Sequence, residues 1–203
     1  MAIPLLQPEP LVSEEEAAAR LRPRPGILAG LRRLGAKPAQ GDRTERGAPA
    51  RMELVRLPCA LVERLDAPAE GKNGRAGLLV RGFAETVEIF RMDAPLQAAA
   101  APDPDFRFPL SRERVLELAR ERWFALSTGR ALRRAPTMPA LEIVSWVAYP
   151  HWVCYFRTSG GRCDFRMLDA LTGRRSSASI RAALLEFLAW KRRSAGGGKT
   201  GKV

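Results

Sequence analysis

Apolar residues recur along this chain with two different periods, and the places where the period changes set out its elements. Beyond Ser177-Ala178-Ser179, the residues Ile180, Ala183, Leu184, Phe187 and Leu188 fall at i, i+3, i+4, i+7 and i+8. That spacing lays one apolar stripe along a helix whose first amides Ser177 to Ser179 can cap. Val115, Leu116, Leu118, Ala119, Trp123 and Phe124 make a comparable stripe behind Ser111, predicting a helix to about Leu126. A shorter helix opens at Ser13-Glu14-Glu15-Glu16, a capping box in which the Ser13 hydroxyl meets an early amide and Glu16 reaches back. Pro23 and Pro25 stop that helix near Leu21, and a further turn or two is expected over Ile27 to Leu34.

Between these helices the apolar runs are shorter and rich in β-formers. Arg51 to Leu65 reads as a strand broken or bulged at Pro58, because proline donates no ladder hydrogen bond. Arg75 to Met92 reads as a strand or strand pair interrupted near Gly82. Leu141 to Phe156 and Cys163 to Leu171 are expected to fold back on each other through a turn at Thr158-Ser159-Gly160-Gly161. In that register Phe156 faces Cys163, Arg157 faces Arg162, and Cys154 lies too far along to bridge comfortably to Cys163. Buried free thiols are the simpler expectation.

The predicted architecture is α+β: an antiparallel sheet built from two similar helix-plus-hairpin units, with helices packed on it and a disordered basic C-terminal tail. Residues 1–12 form an extended N-terminus, 13–93 the first unit with a flexible loop at 35–50, 94–110 a Pro/Ala-rich linker, 111–192 the second unit and 193–203 the tail. Element order recurs between the halves, with a serine-capped helix followed by a proline-bearing strand, a turn and another strand. Leu57-Pro58-Cys59-Ala60-Leu61-Val62 aligns with Tyr149-Pro150-His151-Trp152-Val153-Cys154, which points to an internal duplication.

Composition changes this picture mainly through charge. The formal net charge is +12, and residues 151–203 hold eleven Lys and Arg against three Asp and Glu. Beyond Trp190 five positive charges stand with no negative one, a segment able to attract nucleic acid or another anionic surface. Aromatic residues do not interleave with those charges in sequence, as a base-stacking surface would need. The abundance of Ala, Arg and Leu over Lys is the bias a GC-rich bacterial genome imposes. The first twelve residues carry three prolines and no basic region, so they do not read as a signal peptide. Ile143 to Phe156, the longest uncharged apolar stretch, is 14 residues and too short for a membrane-spanning helix. Three cysteines without CxxC spacing fit a reducing compartment, so a cytoplasmic location without membrane insertion is expected.

The chemistry-bearing patterns are incomplete. Gly198-Lys199-Thr200 imitates the end of a phosphate-binding loop, but Arg193 stands where its first glycine belongs and no helix can follow. His151 is the only histidine and sits in an aromatic run; neither Cys59 nor Cys154 carries a nucleophile signature beside it. Neither zinc-ligand spacing nor a carboxylate pair appears. No catalytic role, cofactor or metal is therefore expected.

From Tyr149 through Asp164-Phe165-Arg166-Met167-Leu168-Asp169-Ala170-Leu171-Thr172-Gly173, the C-terminal half resembles the hairpin of PepSY-type domains, where two strands around a glycine turn end in Asp-x-x-Thr-Gly. The resemblance implies a helix laid against an antiparallel sheet and a binding or regulatory role without catalytic residues. The first half lacks that turn, and such domains usually sit outside the cytoplasm. Asp169, Thr172 and Gly173 are also what a tight structural turn requires, since the side chains bond nearby amides and glycine accepts positive φ.

Two functional expectations follow. In the first, a non-catalytic interaction or regulatory module presents an aromatic strand, Trp146, Tyr149, His151, Trp152 and Tyr155, to a protein or small ligand. In the second, a nucleic-acid- or ribosome-associated accessory protein binds through Arg174, Arg175, Arg181, Lys191, Arg192 and Arg193.

Overall fold

The computed structural model describes residues 3–22, 49–65, 75–92, 106–128, 138–157 and 163–196. Within them the order is β1 (Leu5–Leu6), α1 (Glu14–Leu21), β2 (Pro49–Arg64), β3 (Arg75–Arg81), β4 (Thr86–Met92), α2 (Arg112–Thr128), β5 (Leu141–Arg157), β6 (Cys163–Asp169) and α3 (Ala178–Gly196). The α+β class expected from the two periods is present. The strands run in the order β1-β5-β2-β3-β4, and β6 also pairs with β5. This sheet is mixed rather than purely antiparallel, because β1 lies parallel to β5, with Leu5 opposite Trp146 and Leu6 opposite Val147. The short extended segment that Pro4 and Pro8 bracket finds its partner there, the Pro4 carbonyl accepting from the Trp146 amide at 2.9 Å.

The two prolines inside long strands sit where pairing changes. On β2 the pairing with β3 covers Cys59 to Val62, and Pro58 just before it uses only its carbonyl, which accepts from the Gly82 amide at 3.1 Å. On β5, Pro150 falls between the pairing with β1 at 146–147 and the pairing with β6 that starts at His151. Neither strand is broken at its proline: β2 runs on from Pro49 to Arg64 and β5 from Leu141 to Arg157.

All three helices open on serine caps. The Ser13 hydroxyl accepts from the Glu16 amide at 3.3 Å, Ser111 from Arg114 at 3.3 Å and Ser177 from Ile180 at 3.5 Å. The capping box at Ser13 is half-realised, since the Glu16 carboxylate pairs forward with Arg20. At its other end α1 is closed by arginines from outside the helix: Arg175 donates to the Arg20 carbonyl at 3.0 Å, and Arg166 to those of Leu21 and Arg22 at 3.2 and 3.3 Å. The last carbonyls of a helix lack intrahelical donors, which these guanidinium groups supply, and cations at this end also suit its dipole.

The chain divides into two compact units, neither of which is a contiguous half: one holds residues 1–9, 56–150 and 177–203, the other 10–55 and 151–176. The core of the first packs Val115, Leu118 and Ala119 of α2 with Ala60, Val62, Leu78, Val80, Leu141 and Ile143 of the sheet. Strand neighbours of alternate parity, Cys59, Leu61 and Leu79, are buried as well, so β2 and β3 are covered on both faces. The core of the second packs Ala17 and Leu21 of α1, together with Val12, against Trp152, Cys154, Phe156, Leu168 and Ala170.

Two expectations need correcting. The β5–β6 register places Arg157 opposite Cys163 and Phe156 opposite Asp164, one residue from the predicted pairing, so the connection has five residues rather than four. Cys154 faces Arg166 and all three cysteines are free thiols. The C-terminal helix continues through Lys191, Arg192 and Arg193 to Gly196, where a disordered tail was expected from 193. Lys, Arg and Ala are good helix formers and cations are favoured at a helix C-terminus, so the segment has reason to stay helical. The expected helical turns over Ile27 to Leu34, the turn at 158–161, the loop at 35–50 except for its last two residues, which open β2, most of the linker at 94–110 and the tail beyond 196 lie outside the described residues.

Candidate functional site

The aromatic strand turns inward. Tyr149 is 2% exposed, His151 0% and Trp152 8%, while Trp146 and Tyr155 are half-buried. Each has an internal task. The Trp146 ring lies tilted against Phe108 with centroids 4.8 Å apart, and the Trp152 indole donates to the Val12 carbonyl at 2.8 Å. His151 Nδ1 lies 3.5 Å from the Ser176 hydroxyl. The Tyr155 hydroxyl donates to Glu53 Oε1 at 2.6 Å; burial first, and then this bond to a carboxylate, raises its pKa. From His151 onward the strand alternates, sending Trp152, Cys154 and Phe156 into one core while His151 and Tyr155 point to the opposite face. The expectation of one exposed aromatic surface is thus corrected: Tyr149, His151 and Trp152 are buried, and Trp146 and Tyr155 are half-buried.

Tyr149 has a charged neighbour the sequence reading passed over. Arg81 is 4% exposed, with its guanidinium 4.7 Å from the Tyr149 ring centroid and 3.0 Å from Glu88 Oε2. Burial works against its charge, but Cys59 opposite it, Glu88 and Tyr149 together hold its pKa above the ordinary arginine value. An arginine ending the run Leu78-Leu79-Val80 looks like the edge of a hydrophobic strand, and only its neighbours on β2, β4 and β5 show it to be a core ion.

The cationic residues are distributed between the units. Arg174 and Arg175 belong to the second, in the turn after β6, and are exposed. In that turn Asp169 Oδ1 accepts from the amides of Leu171 and Thr172, both at 2.9 Å, and Gly173 has φ +69°. The Asp-x-x-Thr-Gly segment therefore does the structural work its side chains suit. Arg181 is half-buried near the start of α3, and Lys191, Arg192 and Arg193 are exposed at its other end.

At that other end aromatic rings do accompany the charges. Phe187 and Trp190, three residues apart on α3, lie near parallel at 6.1 Å and an interplanar angle of 20°. Phe83 meets both, edge-on to Phe187 at 5.6 Å and tilted to Trp190 at 6.0 Å. The Lys191 ammonium stands 5.2 Å over the Phe187 ring. Phe187 is buried, while Phe83 and Trp190 keep part of their surface in solvent. Comparison with family models, with curated proteins and with solved structures finds no match to this chain.

The turn that presents Phe83 is held by two polar contacts and one close approach. The Gly82 amide bonds the Pro58 carbonyl, and a Cβ at Gly82 would come within 2.6 Å of Pro109. Glu85 takes φ +46°, uncommon for a residue with a side chain, and its carboxylate is paired to Arg114 of α2 at 3.0 Å. Sequence reasoning missed Phe83 because it lies in a turn far from α3 in the chain. Its signal was the Gly-Phe pair between two strands, which specifies a turn but not what the ring touches.

Among the described residues no group of three or more His, Cys, Asp and Glu is arranged to hold a metal ion. No described helix is long and apolar enough to cross a membrane.

Proposed function

We propose that this chain is a non-catalytic accessory protein that binds single-stranded nucleic acid at the C-terminal end of α3. The observation that carries the reading is the meeting of half-exposed Phe83 and Trp190 with the exposed cations Lys191, Arg192 and Arg193 on one helix end. Cations attract the phosphate backbone and release its counterions, and aromatic surface lets unpaired bases stack whatever their sequence. Among the described residues Lys191, Arg192 and Arg193 are in no ion pair with a carboxylate, so neutralisation is left to a partner. The recurrence of a serine-capped helix, a proline-bearing strand and an antiparallel neighbour in α1-β2-β3 and α2-β5-β6 supports a duplicated scaffold.

The reading is tested by anisotropy titrations of a labelled 20-nucleotide single strand and of a duplex of the same length. Stacking requires unpaired bases, so the single strand binds more tightly and Trp190 fluorescence is quenched. Equal affinity for both forms, or no binding at low salt, overturns it.

A further inference from the structure

We infer that the second unit carries a discrete oxyanion-binding cleft, lined by Arg20, Arg166 and Arg175 with Leu168 and Gly173, which takes a multivalent small anion bearing phosphoryl or carboxylate groups. The cleft has a volume of about 540 Å³, room for a ligand well beyond a single phosphate. Its charge comes from two stretches far apart in sequence: Arg20 from α1, and Arg166 of β6 with Arg175 of the segment after the turn.

These arginines have structural tasks, and what those tasks leave over defines the site. Arg20 donates through Nη1 to the Gly173 carbonyl at 3.0 Å and pairs through Nη2 with Glu16. Arg166 spends Nη1 on two helix-end carbonyls, and its guanidinium lies 5.4 Å over the Phe156 ring. Arg175 spends Nη2 on a third carbonyl. Each guanidinium has five N–H donors in a rigid fork, so Nε and one Nη of both Arg166 and Arg175 remain for another acceptor. Carbonyls satisfy hydrogen bonds without cancelling charge. Among the described residues Glu16 is the one carboxylate paired to any of the three, so two positive charges share the cleft without a counter-ion.

The fixed geometry matters as much as the charge. Because Arg166 and Arg175 are tethered to the end of α1 and Arg20 to the turn, their forks are held in place before a ligand arrives. Gly173 makes this possible: its φ of +69° suits glycine, and a Cβ there would stand 2.1 Å from Arg20 Nη1. Pre-positioned guanidinium forks match the paired oxygens of phosphate and carboxylate, which a flexible lysine cluster does not.

Thermal unfolding of the full chain tests this inference, with pyrophosphate and citrate each titrated to 10 mM (about 100-fold over a Kd of ~0.1 mM) at an ionic strength held constant with chloride. The midpoint rises by roughly 5 °C with the anion the site prefers. A rise with pyrophosphate alone assigns a phosphoryl ligand, and a rise with citrate alone a carboxylate one. Arg20→Gln and Arg175→Gln each cut the shift by more than half, while the triple variant Lys191→Gln, Arg192→Gln, Arg193→Gln keeps it whole. Should either single variant fail to fold, the Nε–Hε resonances of Arg20, Arg166 and Arg175 in the unaltered protein move on titration. No shift with either anion, a shift lost only in the triple variant, or arginine resonances that stay in place would overturn the cleft.

Discussion

Two regions of this molecule are rich in aromatic residues, and their surroundings divide them. Along β5 the rings of Tyr149, His151, Trp152 and Phe156 are buried, and polar atoms are engaged inside the protein where the Trp152 indole bonds Val12 and the Tyr155 hydroxyl bonds Glu53. At the end of α3, Phe83, Phe187 and Trp190 also touch one another, but two of them stay partly in solvent and three cations follow directly. Density of aromatics in sequence thus marks the core strand, whereas the candidate interface assembles two helix positions with one turn residue. The lesson is that a ring's neighbours, not the number of rings nearby, separate packing from recognition.

Substitutions at the two regions should separate stability from binding. Trp152→Ala, which empties a core position and removes the bond to Val12, costs about 3–5 kcal/mol in denaturant unfolding. The fraction that stays folded keeps its affinity for single-stranded nucleic acid, and a loss of affinity there would return the β5 aromatics to consideration as a binding surface. Trp190→Ala costs a smaller ~1–2 kcal/mol, because the ring is half-exposed, yet weakens single-strand binding by about tenfold through lost stacking. Equal damage to both properties from both substitutions would erase the distinction.

A smaller effect separates the regions by pH. The raised pKa of Tyr155 means that the folded chain keeps this proton where the unfolded chain has lost it. Its contribution is complete below the ordinary tyrosine value of about 10 and is lost as pH climbs through the folded value. Stability measured from pH 9 upward therefore falls in the unaltered protein, and Tyr155→Phe flattens part of that fall. At neutral pH the same substitution costs about 1.5 kcal/mol, the lower end for a hydrogen bond to a charged group, because the Tyr155–Glu53 pair is only part-buried.

Much of the fold was legible because it rests on local rules. Serine caps, apolar stripes and prolines located three helices and the long strands to within a few residues, since those signals act between near neighbours. The α3 stripe reads directly: Ile180, Ala183, Leu184 and Phe187 are all buried. What failed depended on distant partners. The two-residue strand β1 exists because β5 receives it, and nothing in Leu5-Leu6 specifies that edge. The hairpin register slipped by one because two glycines near a turn permit either loop length. Arg81 and Phe83 gain their meaning from residues on other elements, so the buried ion and the aromatic cluster were invisible in the linear pattern. The cleft was equally hidden, since Arg20 and Arg175 meet only through the end of α1.

The central claim, that the end of α3 holds nucleic acid by phosphate contacts as well as stacking, is tested most directly by the salt dependence of single-strand binding. Affinity is measured from 50 to 300 mM salt for the unaltered protein and for the Lys191→Gln, Arg192→Gln, Arg193→Gln variant. Three lost phosphate contacts lower the slope of log affinity against log salt by about 2, taking ~0.7 per contact on a single strand. Identical slopes for the two proteins would contradict the account.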